Sequence, residues 1–513
     1  MDPLSTSIKN MRLSRKYQKF LWILTGVEII LFLFLIIRFH TQIVAHFQAP
    51  KPLCVHCNII LVSLDTLSAN HLPCYGYSRD TAPNLCLLAK NSIFFSHMYS
   101  NATWTLPSHV SIFTGLYPYT HGVIDESNYL SRSVPFLPQI LKDNGYTTSF
   151  LMGINDNTLP IYSVYNRGID EIYNEDTISW DSALTDFKTN VENGKKTFLF
   201  LHTYDVHAPY LIDDRPFLYA KTIVPTIPTK HSELRVMTND VINFLIQQIP
   251  DDVQKHNLGP GEAKTLTALV NDLKKYPGDY DKMRNIIQKA QMEDPIDTKP
   301  ISAYYSYSIL YREHIDTKNS TNVDYLRALY DQRIHEMDTS RIANLLAFLQ
   351  DKTVRDNTIV IITADHGEEF MEHGQIEHAT TYDSNIRIPL IMYIPNTAKK
   401  TIDANVQSVD LLPTILDIVG IKTHNTYQGL SLVPAIGGTP LPDRILVADG
   451  DVELNRTLRR GNWKLFLYPK DNQWLPTELY DIQKDPGEQN NVLFSHLDIA
   501  RTLFDDYQAM GKK

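Results

Sequence analysis

Read as a pattern of apolar and polar positions, the chain alternates short, unbroken apolar runs with longer amphipathic stretches. Residues Asn58–Leu64 are apolar and β-branched with little alternation, as expected of a strand buried on both faces of a parallel sheet. Residues 147–152, 197–201, 358–363 and 387–393 repeat the pattern, and residues 134–142 and 325–349 carry helical spacing between them. Such an order predicts an α/β fold, a mostly parallel central sheet with helices on both faces. Residues 211–324 hold no strand run. Their amphipathic stretches (236–249, 262–276 and 280–292), broken by Pro and Gly, predict a helical insertion that acts as a lid, a recognition element or packing. Past residue 440, short strand-like runs at 444–448 and 463–468 and a terminal helix over 497–510 predict a small C-terminal α+β subdomain.

Several of these runs end in residues able to do chemistry. Residues Asn58–Leu64 lead into Asp65-Thr66, residues 197–201 into His202 and on to His207, and residues 358–363 into Ala364-Asp365-His366-Gly367. Open α/β sheets place their ligands outside the carboxyl ends of the strands, although an Asp there also serves as a helix cap. A turn-prone run, Asn101 to His109, brings Thr105 directly before an apolar segment at 110–116 that reads as a helix. A hydroxyl there faces free N–H groups and the positive end of the dipole, a suitable place for an alcohol that attacks an anionic ester, and equally for a plain cap. Asp65, Asp365, His366 and Thr105 form a mixed oxygen and nitrogen set suited to one divalent cation (calcium, manganese, magnesium or zinc). His207 and His378 are placed to hold an anion or protonate a leaving group. Asp331 and His335, four apart on a helix, read as a solvated contact, with a second ion as the alternative.

The N-terminus departs from this pattern. Residues 20–37 are apolar except for Glu28, long enough to cross a bilayer, and Lys9, Arg12, Arg15, Lys16 and Lys19 precede them. The charge bias predicts a cytoplasmic tail (1–19), a transmembrane signal anchor (20–37), a stalk (38–56), a catalytic domain (57–440) and the C-terminal subdomain (441–513), with everything after Arg38 outside the cytoplasm, whether periplasmic, extracellular or lumenal. The rival is a cleaved signal peptide ending near Ala45 or Ala49. A net charge of -10 over 513 residues excludes a nucleic-acid binder. Outside the cytoplasm the cysteines Cys54, Cys57, Cys74 and Cys86 are free to form disulfides; Cys54-Val55-His56-Cys57 has redox or zinc spacing but lacks a second ligand pair, so structural or merely tolerated cysteines are expected. Asn101, Asn319 and Asn455 open glycosylation sequons.

From about Asn58 to its end the chain resembles the sulfatases of the alkaline phosphatase superfamily. The resemblance is carried by Ile59-Ile60-Leu61-Val62-Ser63-Leu64-Asp65-Thr66, Ala82-Pro83-Asn84-Leu85, Thr105-Leu106-Pro107-Ser108-His109 with Thr114-Gly115, and His207-Ala208-Pro209-Tyr210. Further on it includes Thr363-Ala364-Asp365-His366-Gly367, Glu372-His373-Gly374, Arg387-Ile388-Pro389-Leu390, Val409-Asp410-Leu411-Leu412-Pro413-Thr414, and Glu478-Leu479-Tyr480-Asp481 with Asp485-Pro486. It implies an alkaline-phosphatase-like fold, metal ligands at Asp65, Asp365 and His366, a nucleophile at Thr105 and an anion contact at His207. His378 falls where many sulfatases have an anion-binding Lys. The chain also departs from that pattern. Thr105 stands where sulfatases have a Cys or Ser for conversion to formylglycine, His109 where their motif ends in Arg, and Thr66 where they have a second Asp. Gly153 is followed by Ile154-Asn155-Asp156 in place of the family's Lys and His. Threonine does not yield the aldehyde, so the expected reaction is hydrolysis of a sulfate or phosphate ester, phosphorus favoured, on a small-molecule, glycan or lipid substrate. The alternatives are a head-group phosphotransferase acting on a glycan or lipid, and a non-catalytic binding protein on the same fold.

Overall fold

The computed structural model describes residues 51–513 outside 126–127, 153–166, 175–177, 209, 211–217, 220–222, 224, 226–259, 277–281, 283–285, 287–315, 379, 451–454, 472 and 511–513. The tail, the anchor, residues 38–50 of the stalk and most of the 211–324 insertion thus lie outside the described residues. Among those described, no helix is long and apolar enough to cross a membrane. Residues from Pro52 onward form one compact unit.

Eight strands build the central sheet: β1 (Asn58–Leu64), β2 (Ile93–Tyr99), β3 (Tyr146–Met152), β4 (Glu171–Asn174), β5 (Lys196–Thr203), β6 (Thr358–Thr363), and, after a short hairpin of β7 (Glu369–Phe370) and β8 (Ile376–Glu377), β9 (Arg387–Tyr393) and β10 (Lys400–Gln407). Their spatial order is β10-β2-β9-β6-β1-β5-β3-β4. All neighbours are parallel except β9, which runs antiparallel to both β2 and β6. Every residue of β1 and β6 is buried, which explains their unbroken apolar sequences. Among the described helices are α1 (Pro83–Lys90), α2 (Thr105–Thr114), α3 (Trp180–Glu192), α4 (Pro260–Leu273), α5 (Ser320–Met337), α6 (Leu411–Val419) and α7 (Leu497–Met510). The helix expected over 325–349 is interrupted: α5 passes into a π-turn at Asp338–Ile342, where the buried Asp338 carboxylate accepts from the N–H groups of Asn84 and Leu85 at the start of α1.

Strand register positions the site. In the parallel β1–β6 pair Ser63 lies beside Thr363, so Asp65 and Asp365, each two residues further on, leave the sheet side by side. On the other flank Ser63 lies beside His202 of β5.

A second sheet, β11 (Leu446–Asp449), β12 (Arg456–Arg460), β13 (Trp463–Lys470) and β14 (Gln473–Asp481), is antiparallel and packs its own core against α7. Buried charges tie it to the main sheet. Lys464 Nζ donates to Asp383 Oδ1 and lies 2.7 Å from Glu488 Oε1, while Arg459 Nη1 donates to Asp383 Oδ2 at 2.8 Å. Asp383 follows the hairpin beside the site, so the C-terminal sheet holds that segment in place.

The four cysteines, for which the sequence set no pairing, are joined as Cys54–Cys57 and Cys74–Cys86. Asp331 is not solvated: it is buried and takes hydrogen bonds from Arg79 Nη1 (2.6 Å) and Tyr77 OH (2.7 Å), with His71 Nδ1 at 2.7 Å. This corrects the surface reading of the Asp331–His335 pair. The helical pattern hid that face because it packs against the 71–79 turn. Two of the three sequon asparagines, Asn101 and Asn455, are buried.

Candidate active site

Thr105 is the first residue of α2, preceded by the extended residue Trp104. Its side chain reaches the carboxyl end of β1, where Thr105 Oγ1 donates to Asp65 Oδ2 at 3.3 Å. The turn is held by Asn101, whose Nδ2 donates to Val447 O of β11 (2.8 Å) and whose Oδ1 accepts from Val409 N (2.9 Å). Residue Thr66 adopts φ 57°, a region β-branched residues avoid, and in it the Thr66 N–H donates to Asp365 Oδ1 at 3.2 Å. Tyr330 of α5 fixes that bend by donating its OH to Thr66 O at 2.7 Å.

The structure therefore brings the four predicted metal-site residues together. Asp65, Asp365 and His366 each offer an atom within 4.8 Å of the others. His366 Nδ1–H donates to Gly367 O at 3.0 Å, which leaves the Nε2 lone pair facing Asp365 Oδ2 at 3.4 Å and Asp65 Oδ1 at 4.0 Å. Asp365 Oδ2 and His366 Nε2 are buried with no hydrogen-bond partner. A lone pair set against carboxylate oxygens in a buried pocket is unfavourable unless a cation lies among them, so these residues fit a divalent ion. Burial, opposed by the Asp365 charge, pushes the His366 pKa down to about 4, which keeps the ring neutral and able to ligate.

The two remaining predicted residues lie at the same place. The His378 ring lies 4.6 Å from the His366 ring, centroid to centroid and tilted by 43°, and His207 lies 5.3 Å from His378. His378 Nδ1 is 3.3 Å from Glu368 Oε1, and Tyr210 OH donates to the other oxygen of that carboxylate at 2.7 Å. Burial would lower the pKa of His378, but the Glu368 hydrogen bond and charge outweigh it and push it up to about 9. It therefore carries a positive charge at neutral pH.

Sequence reasoning gave no role to His202, His109, Glu368 or Tyr210. His202 Nε2 lies 3.1 Å from the Asp65 oxygen that accepts from Thr105. His109 donates from Nδ1 to Thr105 O (2.9 Å) and accepts at Nε2 from Ser63 Oγ (2.9 Å). Burial pushes its pKa down to about 4, so a neutral ring bridges α2 to β1. The available signals were a polar residue inside the apolar run of β5 and the carboxylate right after Asp365-His366-Gly367.

An α/β sheet with a hydroxyl, two carboxylates and an imidazole meeting at its strand ends is the arrangement expected of the alkaline phosphatase superfamily. The chain belongs to the sulfatase family within it: the Sulfatase profile matches residues 57–421, and a second, N-sulphoglucosamine sulphohydrolase C-terminal, matches residues 371–505. It is 24% identical over 479 residues to an N-acetylglucosamine-6-O-sulfatase of Bacteroides thetaiotaomicron, covering 85% of this chain and 82% of that protein. Among solved structures it is similar to one in complex with its substrate D-glucosamine-2-N,6-O-disulfate (TM-score 0.61, 21% identity, 89% of this chain and 97% of that one). It is also similar in fold to a phosphonate monoester hydrolase of Agrobacterium radiobacter (TM-score 0.59, 17% identity, 89% and 95% covered).

Proposed function

We propose that the chain hydrolyses phosphoric esters outside the cytoplasm, with an unmodified Thr105 as nucleophile and one divalent cation held by Asp65, Asp365, His366 and Thr105. The observation that carries this reading is the 3.3 Å hydrogen bond from the Thr105 hydroxyl to Asp65, at the start of a helix and beside the other site residues. The bound cation supplies positive charge that lowers the pKa of the hydroxyl and shields the substrate anion. Thr105 Oγ1 attacks phosphorus in line, and its proton leaves along the bond to Asp65 Oδ2. The new Oγ1–P bond forms as the bond to the ester oxygen breaks, and His378, protonated at neutral pH, gives that oxygen a proton. His207, beside His378, holds a non-bridging oxygen. Water then attacks the same phosphorus, releasing phosphate and returning the Thr105 hydroxyl.

Phosphorus is preferred because a phosphothreonine ester can be cleared by water, whereas sulfatases clear sulfate through the aldehyde hydrate that Thr105 cannot form. Family membership and relatives named as sulfatases favour a second reading, sulfate esters at the same threonine. Aryl sulfates, phosphate mono- and diesters and phosphonates, each assayed with calcium, manganese, magnesium and zinc, separate the two. Phosphate or phosphonate turnover at least tenfold above sulfate is expected, and the reverse order would reject phosphorus. Thr105→Ala is expected to lose on the order of 10⁴-fold in kcat/KM; unchanged activity would remove Thr105 from the mechanism. The location rests on residues 20–37 and the basic residues before them, and is tested by protease access to the catalytic domain in sealed vesicles.

A further inference from the structure

The two ends of the central sheet carry opposite charge. Asp65, Asp365, Glu368 and Glu372 lie at the site end, where β1 and β6 finish. The other end, the base, is where the parallel strands begin: Asn58 stands beside Thr358, Tyr146 beside Lys196, and Lys400 beside Ile93. The turns that meet there, 51–57, 90–92, 142–145, 192–196, 351–357, 394–400 and 420–424, hold ten Lys and Arg against four Asp and Glu, in a chain of net charge -10. Some of these cations are spent within the protein. Lys142 pairs with Asp170 at 2.5 Å, and Lys400 Nζ donates to Ala435 O at 3.2 Å. Lys90, Lys352, Lys399 and Lys422 are exposed and, among the described residues, have no carboxylate in ion-pair reach. Val55 (56% exposed) and Leu87 (54%), one turn before Lys90, add apolar side chains at the same end.

The chain also enters the domain at the base. The Cys54–Cys57 disulfide closes a loop directly before β1, and Cys54 N–H donates to Ile418 O of α6 at 3.0 Å, which brings Lys422 to the same end. From the end of the expected anchor at residue 37, residues 38–51 can span at most about 50 Å. A basic end on an otherwise acidic molecule is turned towards an anionic plane, and the attraction is felt within about 8–10 Å of it. The four unpaired lysines come from four separate turns, which suits a plane of charges better than a single polyanionic strand. Exposed aliphatic side chains between lysines suit a bilayer interface, where head groups take the charge and the boundary takes the apolar tips.

We propose that the base docks on the bilayer surface, its lysines against anionic lipid head groups, so that Thr105 and the cation site face away from the membrane and take substrate from the aqueous side. This rests on the anchor reading of residues 20–37.

The test places the full chain in nanodiscs of phosphatidylcholine, with or without phosphatidylglycerol, that carry an acceptor dye on the lipid head group. A donor dye is attached to a single introduced cysteine, either Asn425→Cys beside the base or Gln375→Cys in the β7–β8 turn at the site end, both at exposed positions. Energy transfer from position 425 is expected to exceed that from position 375 and to rise with phosphatidylglycerol. High salt should erase the rise, and so should Lys90→Glu, Lys352→Glu, Lys399→Glu and Lys422→Glu combined; Gln at the same four positions should erase it in part. Equal transfer from the two positions, greater transfer from position 375, or a rise indifferent to the lysines would overturn the docking. Tighter retention on heparin than on phosphatidylglycerol vesicles would overturn the lipid assignment in favour of a polyanionic glycan. If alkaline carbonate strips the chain from membranes, the anchor reading fails, and flotation with phosphatidylglycerol vesicles decides the base by itself. Each lysine should there contribute about fivefold to partitioning, so the fourfold Glu variant should lose roughly a hundredfold or more, and an unchanged partition would overturn the surface. No step uses turnover, so the outcome is independent of the hydrolase reading.

Discussion

At the scale of single residues, the site depends on which atoms carry protons. His366 and His109 are neutral because they are buried, whereas His378 is charged because Glu368 faces it, and all three lie around one hydroxyl. His121 shows the same effect where no chemistry depends on it. Its Nδ1 accepts from Val123 N at 3.1 Å, so only the neutral ring fits, and burial pushes its pKa from 6.5 down to about 3. Since the folded value is depressed, stability is full above pH 6.5 and falls as the pH drops from there towards 3, at up to about 1.4 kcal/mol per pH unit. Urea unfolding at pH 7.5, 6.5 and 5.5 should show this loss, and His121→Gln should flatten it; equal slopes would remove His121 as the source. Asp65, Asp365, His366 and Thr105 were legible in the sequence because each ends a strand or opens a helix. Glu368 and Tyr210 were not, since only the hairpin of β7 and β8 folds His378 back onto them.

At the scale of elements, what could be read depended on burial. Strands β1 and β6 are buried along their whole length and were plain as continuous apolar runs. Strands β2 and β10 alternate irregularly between buried and half-buried or exposed positions and gave no such signal. The nucleophile turn depends on a contact between distant elements that no local pattern encodes. Asn101 pins it to β11 and to the Ser408–Asp410 turn that precedes α6 through two buried hydrogen bonds. Asn101→Ala strands a buried N–H and a buried C=O, at about 1–3 kcal/mol each. A fall of that size in the free energy of unfolding, together with reduced kcat, is expected. A drop in kcat with unaltered stability would mean that Asn101 acts on substrate and not on the turn.

At the scale of the whole molecule, the two sheets are joined by charge as much as by packing. Lys464 is wholly buried between Asp383 and Glu488, and its loss leaves both carboxylates inside the protein with Arg459 as the remaining cation on Asp383. Lys464→Met should cost about 3–5 kcal/mol, read as a lowered midpoint of thermal unfolding. Adding Glu488→Gln should recover part of that loss, and no recovery would show that the lysine acts through its packing. A further link runs from the last helix. Tyr507 of α7 accepts from Arg456, and Arg456 in turn sets the rings of Tyr119 and Trp474. Tyr507→Phe removes that acceptor, so a lowered midpoint of thermal unfolding is expected, and an unchanged midpoint would show that ring packing alone holds Arg456. With its last helix bonded in this way to the sheet that carries Lys464, a variant shortened before Leu497 should unfold at a lower temperature although its threonine is untouched.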